Sequence, residues 1–357
     1  MKVKLLLLLM SPYVLALLLS TLGLGTTLTF VSSHWLLAWV GLEINTLAIL
    51  PLIVRNHHPR AVEAAIKYFL IQAGGAAVLL FAGVTNAWFT GQWGIQQATS
   101  PVFIGVITIA LALKLGLAPL HSWIPEVFQG LDLNTGLVLA TWQKLAPLAL
   151  LLQIQPSNSA LLILLGLAST LIGGWGGLNQ TQLRKILAYS SIAQLGWVVL
   201  IVQFSPSLAT LAVLVYIIAA ASTFIILKLV KSTNINILAI SWAKSPALVA
   251  MTPFVFLSLA GLPPLTGFMP KWLIIEELSK QGLVPVATLA VLTALLSLYY
   301  YLRLTYAMTL TIFPNNFSGI PPWRLRAKQL TFPLACLVTG TISVLPLTPA
   351  AIALVAF

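Results

Sequence analysis

Four ionisable residues stand deep inside long apolar stretches of this 357-residue chain: Glu43, Lys114, Lys144 and Lys271. A charge at the bilayer centre costs about 2.5–3.5 kcal/mol on insertion scales, so four charged and unpaired residues would cost roughly 10–14 kcal/mol. Static ion pairing between helices would recover part of that cost. Proton transfer gives it a use. Burial draws the proton affinities of lysines and carboxylates toward neutral pH, and a neighbouring opposite charge moves them back. A buried Glu–Lys or Lys–Lys set can therefore trade protons when a nearby charge changes. The flexible lysine stem can also swing between two chains of water.

Other polar residues invite plainer readings. Glu63 and Lys67, like Glu276 and Lys280, are spaced i, i+4 and read as interfacial salt bridges. Arg303 lies toward one end of its apolar run and can snorkel. Glu126 and Asp132 flank a loop and read as solvated. His121 sits in a Gly/Pro-rich interruption and is a candidate proton relay, with a satisfied core histidine as the equal alternative. His57 and His58 read as loop residues. Gly173 to Gly177 read as a close-packing helix end, and Tyr299 to Tyr301 as packing or an interface belt. No Gly-rich phosphate loop follows a strand. The histidines have no metal-ligand spacing, and the single cysteine, Cys336, excludes a disulfide framework and an iron–sulfur cluster.

The interruption containing His121 has a second copy. Gly116-Leu-Ala-Pro-Leu-His-Ser-Trp-Ile-Pro125 aligns with Gly261-Leu-Pro-Pro-Leu-Thr-Gly-Phe-Met-Pro270, and Trp123 faces Phe268. Proline removes a backbone donor and pushes the preceding residue out of helix. Matching interruptions in two halves of a membrane chain point to broken helices at an ion or substrate path, with freed carbonyls able to bind water or an ion. Two ordinary proline kinks are the alternative.

The elements that must hold these residues follow from composition. Hydrophobic residues make up 59% of the chain and charged ones 7%; mean hydropathy is +1.02. So little charge cannot cover a soluble surface, which excludes a soluble globular enzyme, a disordered protein and a nucleic-acid binder. Apolar runs fall at about 5–22, 25–54, 60–89, 101–130, 133–153, 158–178, 184–203, 207–230, 246–280, 283–312 and 330–350. Each is long enough to cross a bilayer, and in hydrocarbon each must be helical. The prediction is an all-α polytopic membrane protein of about eleven transmembrane helices, with helix breaks near 116–125 and 261–270. Residues 1–357 form one integral-membrane domain: repeat one at about 5–153, repeat two at about 158–312 and a final helix at about 330–350. The two interruptions lie five spans apart, so the repeats are inverted.

The bases test the span count. Eleven spans put Lys2, Lys4, Arg55, Arg60, Arg184, Lys185, Lys228, Lys231, Lys244, Arg324, Arg326 and Lys328 on the amino-terminal side, and only Lys280 on the other. The positive-inside rule then places the amino terminus in the cytoplasm or matrix and the carboxyl terminus opposite. This accounts for most of the +12 net charge without nucleic acid. The start resembles a secretory signal but lacks a clear small-x-small cleavage site, and reads as an uncleaved first span.

Several segments resemble the chain 2 family of NADH:ubiquinone oxidoreductase, respiratory complex I, in its animal mitochondrial form. They include Ser32-Ser-His-Trp-Leu-Leu-Ala-Trp-Val-Gly-Leu-Glu43-Ile-Asn, Lys67-Tyr-Phe-Leu, Pro119-Leu-His-Ser-Trp-Ile-Pro-Glu and Thr141-Trp-Gln-Lys144-Leu-Ala-Pro. The stretch from Gly176 to Ser191 and the segment Gly261 to Trp272 extend the likeness. The resemblance implies an antiporter-like fold of two inverted five-helix repeats, lacking three amino-terminal helices of bacterial members. It implies a proton channel whose axis holds Glu43, Lys114, Lys144 and Lys271. It also implies the mitochondrial inner membrane, with the amino terminus in the matrix. NADH, FMN, iron–sulfur clusters and ubiquinone are expected in other subunits. Implied partners are the neighbouring antiporter-like and small membrane-arm chains, with membrane lipids, cardiolipin among them. Two departures stand out: residues 1–9 look like an extension, and Gln194 stands where many relatives have histidine, so a proton-relay role there is weakened.

The expected function is proton translocation coupled to electron transfer from NADH to ubiquinone, with no redox centre in this chain. Two rivals remain: a stand-alone or Mrp-like cation/proton antiporter, and a structural scaffold of the membrane arm with an inactive channel.

Overall fold

The computed structural model describes residues 11–55, 58–97, 100–154, 159–243, 246–310 and 331–355. Among these the chain is helical, with two isolated β-bridges, His34 to Gly94 and Gln182 to Asn234. The helices are α1 (Pro12–Val31), α2 (Trp35–Val54), α3 (Pro59–Thr90), α4 (Pro101–Leu115), α5 (Trp123–Gly130), α6 (Leu133–Ile154), α7 (Ser159–Gly177) and α8 (Leu183–Ile201). They continue as α9 (Pro206–Val230), α10 (Ile235–Ile240), α11 (Pro246–Ala260), α12 (Phe268–Lys280), α13 (Val284–Thr309), α14 (Thr331–Ser343) and α15 (Thr348–Val355). Seven are long and apolar enough to cross a membrane unaided, and α4, α11 and part of α14 are shorter apolar helices. Together with α8 they account for the eleven expected runs.

Helix ends follow local chemistry. Proline occupies the first turn of α1, α3, α4 and α9, where the missing N–H costs nothing. Ser11 accepts from the Val14 N–H, and the rings of His34 and His58 accept from Leu36 and Arg60. His58 is therefore a helix cap; His57 lies outside the described residues.

Three expectations need correction. The first two runs were drawn at 5–22 and 25–54, but α1 reaches Val31 and the gap is Ser32 to His34. Composition is apolar on both sides of either boundary. The gap is set by contacts from far along the chain: His34 stacks on Trp93 at 5.4 Å, and the Trp35 N–H donates to the Trp93 carbonyl. The final run is two helices, because a 3-10 turn at Leu345–Leu347 containing Pro346 separates α14 from α15. The connection before α11 carries a helix of its own, α10.

Two compact units divide inside α7, one of residues 1–165 and one of residues 166–357. In a membrane, helices associate through close packing at small residues rather than through hydrophobic burial. In the first unit α1 and α2 meet at Gly25 and Gly41, where a Cβ on either would stand 2.9 Å from the other's carbonyl oxygen. In the second, Gly166 and Gly196 bring α7 onto α8, and Gly176 and Gly177 lie against Tyr189 and Tyr300. The glycine-rich end of α7 is the close-packing surface expected. Tyr300 and Tyr301 are buried while Tyr299 faces outward.

Candidate functional site

The first unit holds three of the four expected charges, two of them lining one cavity. α4 ends at Leu115, and Gly116 takes the left-handed backbone conformation, φ 75°. The chain passes through a cis Ala118–Pro119 bond and resumes as α5 at Trp123. This is the broken helix expected at 116–125. Lys114 lies in the last turn before the break and is 5% exposed. Its stem runs past Gly75 of α3, where a Cβ would stand 3.3 Å from Lys114 Cγ. Its Nζ is buried and has no hydrogen-bond partner among the described residues.

Lys144 lies at mid-length in α6 and is 6% exposed. Both lysines line a narrow cavity of about 20 Å³, room for about one water molecule. Asn45, Thr46, Tyr68, Gln72 and Gln143 supply the rest of its polar wall. Glu43, on α2, lies one turn from Thr46, whose hydroxyl donates to its carboxylate at 3.2 Å. Two lysines thus line one cavity beside a helix break, and Glu43 lies next in sequence to Leu42 of its wall. The arrangement can hold, exchange and redirect protons.

At the first break, donors of the protein meet the carbonyls of Ala112, Leu113 and Lys114. The Ala112 carbonyl accepts from the N–H groups of Gly116 and Leu117, and that of Leu113 from the Trp123 indole at 3.2 Å. The Lys114 carbonyl accepts from Gln72 at 3.3 Å.

The second unit repeats the construction. α11 ends at Ala260, Gly261 has φ 80°, a cis Pro263–Pro264 bond follows, and α12 begins at Phe268. Lys271 lies one turn into α12 and is 7% exposed. Its Nζ donates to the Ala260 carbonyl at 2.7 Å and lies 5.8 Å over the Trp197 ring. The break is tied to α14: Ser258 donates to Thr341 and Thr266 to Gly340.

His121 lies inside the first break, half-buried, with Nδ1 3.2 Å from the Pro119 carbonyl oxygen. It does not line the cavity that holds the lysines. Lys67 pairs with Glu63 at 2.7 Å and, across to α5, with Glu126 at 2.8 Å. Glu126 is thus a bridge partner and not merely solvated. Lys280 pairs with Glu276 as expected. Arg303 donates to the Leu178 carbonyl at 2.7 Å, just past the end of α7. Among the described residues no group of three or more His, Cys, Asp or Glu stands together.

The charges alone missed the amides. Asn45, Gln72 and Gln143 are uncharged, yet Gln143 donates to the Asn45 carbonyl and all three line the cavity. Their signal was available: an amide in mid-span is as exceptional there as a charge, because hydrocarbon offers it no partner.

Comparison with known proteins supports the fold and gives the family. The family described as "NADH:quinone oxidoreductase/Mrp antiporter, TM" matches residues 32–297, and "NADH dehydrogenase subunit 2 C-terminus" matches residues 298–352. The curated protein NADH-ubiquinone oxidoreductase chain 2 of Tetraodon nigroviridis is 64% identical over 340 residues, covering 95% of this chain and 98% of its own. That of Salmo salar is 63% identical over 342 residues, covering 96% and 98%. Among solved structures, a chain of respiratory complex I from Thermus thermophilus superposes with a TM-score of 0.79 at 30% identity, over 95% of this chain and 77% of its own. A chain of the Mrp complex from Dietzia sp. shares the fold, with a TM-score of 0.77 at 18% identity over 94% and 77%. Family matches that run from residue 32 to residue 352, and relatives alike over almost their whole length, lead to one assignment: the chain belongs to the NADH-ubiquinone oxidoreductase chain 2 family.

Proposed function

We propose that this chain is a core membrane-arm subunit of NADH:ubiquinone oxidoreductase and takes part in the proton translocation coupled to electron transfer from NADH to ubiquinone. The observation that carries the reading is the shared cavity of Lys114 and Lys144 with Glu43 beside it, at a helix break. Glu43 biases Lys114, Lys114 passes a proton through the polar cavity to Lys144, and Lys271 serves the path in the second half. Half-buried His121 is an auxiliary relay. Moving one charge against 100 mV requires about 2.3 kcal/mol, which is the scale of what one buried charge costs. A change of charge beside Lys114 therefore suffices to drive the transfer.

NADH oxidation, flavin, iron–sulfur clusters and the quinone site belong to other subunits of the assembly. The protein resides in the mitochondrial inner membrane, with the amino terminus in the matrix and the carboxyl terminus on the intermembrane-space side. Repeat one covers about 5–153 and repeat two about 158–312, followed by α14 and α15.

The test is Lys144→Ala in the assembled complex. Quinone-coupled turnover and pumping are expected to fall at least about tenfold, as for removal of a positioned proton-transfer group. NADH oxidation by an artificial acceptor should hold at the parent level. Unchanged coupled turnover would sink the relay. The matched family also includes Mrp antiporters; cation/proton exchange by the purified chain alone would favour that reading instead.

A further inference from the structure

We propose that Gln194 is the positioning residue of the second helix break, supplying the hydrogen bond that Pro263 withholds and thereby holding Lys271 in place. In an unbroken helix the carbonyl of residue i takes the N–H of residue i+4. The Leu259 and Ala260 carbonyls would take theirs from residues 263 and 264. Both are prolines, which have no N–H. A bare carbonyl in a membrane interior is costly, so each needs another donor. The Gln194 amide donates to the Leu259 carbonyl at 2.7 Å, across from α8, and the Lys271 ammonium donates to the Ala260 carbonyl at 2.7 Å. Two side chains thus replace the two missing backbone donors.

The two replacements are mechanically joined. Gln194 and Trp197 lie three residues apart on α8 and so share a face. That face meets the Leu259 carbonyl at one point and the Lys271 ammonium at the other. The Lys271 stem passes directly over Gly261, where a Cβ would stand 2.8 Å from Cδ and 3.1 Å from Nζ. Turn, glycine and lysine therefore have a common register, and Gln194 pins it from outside the broken helix. The first break has a counterpart: Gln72 donates to the Lys114 carbonyl, also two residues before the left-handed glycine. The donors come from different helices of their units, α3 and α8, although the residue four after Lys114 is Ala118 and not a proline. The requirement at position 194 is a hydrogen-bond donor of the right reach rather than a titrating group.

This inference rests on the relay reading of Lys271, so the experiment runs both in parallel. Gln194→Met keeps length and loses the donor; Gln194→His restores one. Each is compared with Lys271→Ala in the assembled complex for NADH:ferricyanide activity, NADH:ubiquinone kcat and KM, and proton pumping. Loss of a buried hydrogen bond predicts a fall of about tenfold in kcat and pumping for Gln194→Met, with KM and ferricyanide activity unchanged. Gln194→His should return both to within about twofold of the parent. If Gln194→Met prevents accumulation of the complex while Gln194→His assembles and pumps, the donor requirement likewise stands. Gln194→Met behaving like the parent while Lys271→Ala fails overturns the positioning role alone. Gln194→His failing as badly as Gln194→Met overturns the donor requirement. Lys271→Ala pumping normally defeats the relay reading beneath it.

Discussion

At the scale of single residues, the exceptional fact is where polarity has been spent. Lys114, Lys144 and Lys271 are nearly closed to the outside, and each lies within a turn or a few residues of an amide or a break carbonyl. The glycines that shape the breaks are equally demanding. At Gly116 the left-handed backbone disfavours any L side chain by about 1–2 kcal/mol, and a Cβ would also collide with Ile124 of α5. Gly91 has a similar φ of 70° but open space around it. Gly116→Ala should therefore lower the amount of assembled complex severalfold, while Gly91→Ala costs only the conformational term. Quantitative native gels of the two variants measure the difference; equal losses would mean that the collision with Ile124 is relieved at no cost.

At the scale of elements, the breaks are built from two halves that are each ordinary helix. What is unusual is the joint: a left-handed glycine, a cis proline and side chains brought from a neighbouring helix to serve the exposed carbonyls. Rigid neighbours are needed to bring those donors, and glycine contacts supply them. Gly196 packs so tightly on α7 that a Cβ would stand 2.8 Å from both the Gly166 carbonyl oxygen and the Thr170 nitrogen. Gly196→Val should destabilise the α7–α8 pair by about 1–3 kcal/mol, the usual cost of overpacking. Because α8 carries Gln194 and Trp197, coupled turnover should fall with it. Gly105→Val, at a position with nothing within 4 Å, is the control. Heating the assembled complex and following residual coupled activity separates them, and coincident curves would refute the packing argument.

At the scale of the whole molecule, orientation is a matter of charge at helix ends. Among the described residues Arg55, Arg60, Arg184, Lys185, Lys228 and Lys231 stand at ends of one parity, and Lys280 at an end of the other. The side assigned to the bases is checked by labelling. With Cys336 replaced by serine, Lys231→Cys should react with a membrane-impermeant maleimide only from the matrix face, and Gln281→Cys only from the intermembrane-space face. Labelling of both from one face would overturn the topology.

The sequence by itself determined the class of protein, the number of spans, the two breaks and the three buried lysines. It could do so because these depend on local physics: an apolar run of bilayer length must be helical, a Gly-x-x-Pro segment interrupts it, and a charge within it is conspicuous. It also revealed the family, through motifs such as the one ending in Glu43. Only the tertiary structure decided where α1 ends, since His34 is held by Trp93 from the far end of α3. It alone joined Lys67 to Glu126, sent Arg303 to the Leu178 carbonyl, and recruited Gln72 and Gln194 to the breaks. Those outcomes turn on which donor reaches which acceptor across 42 to 125 residues of chain, and no local pattern encodes that distance.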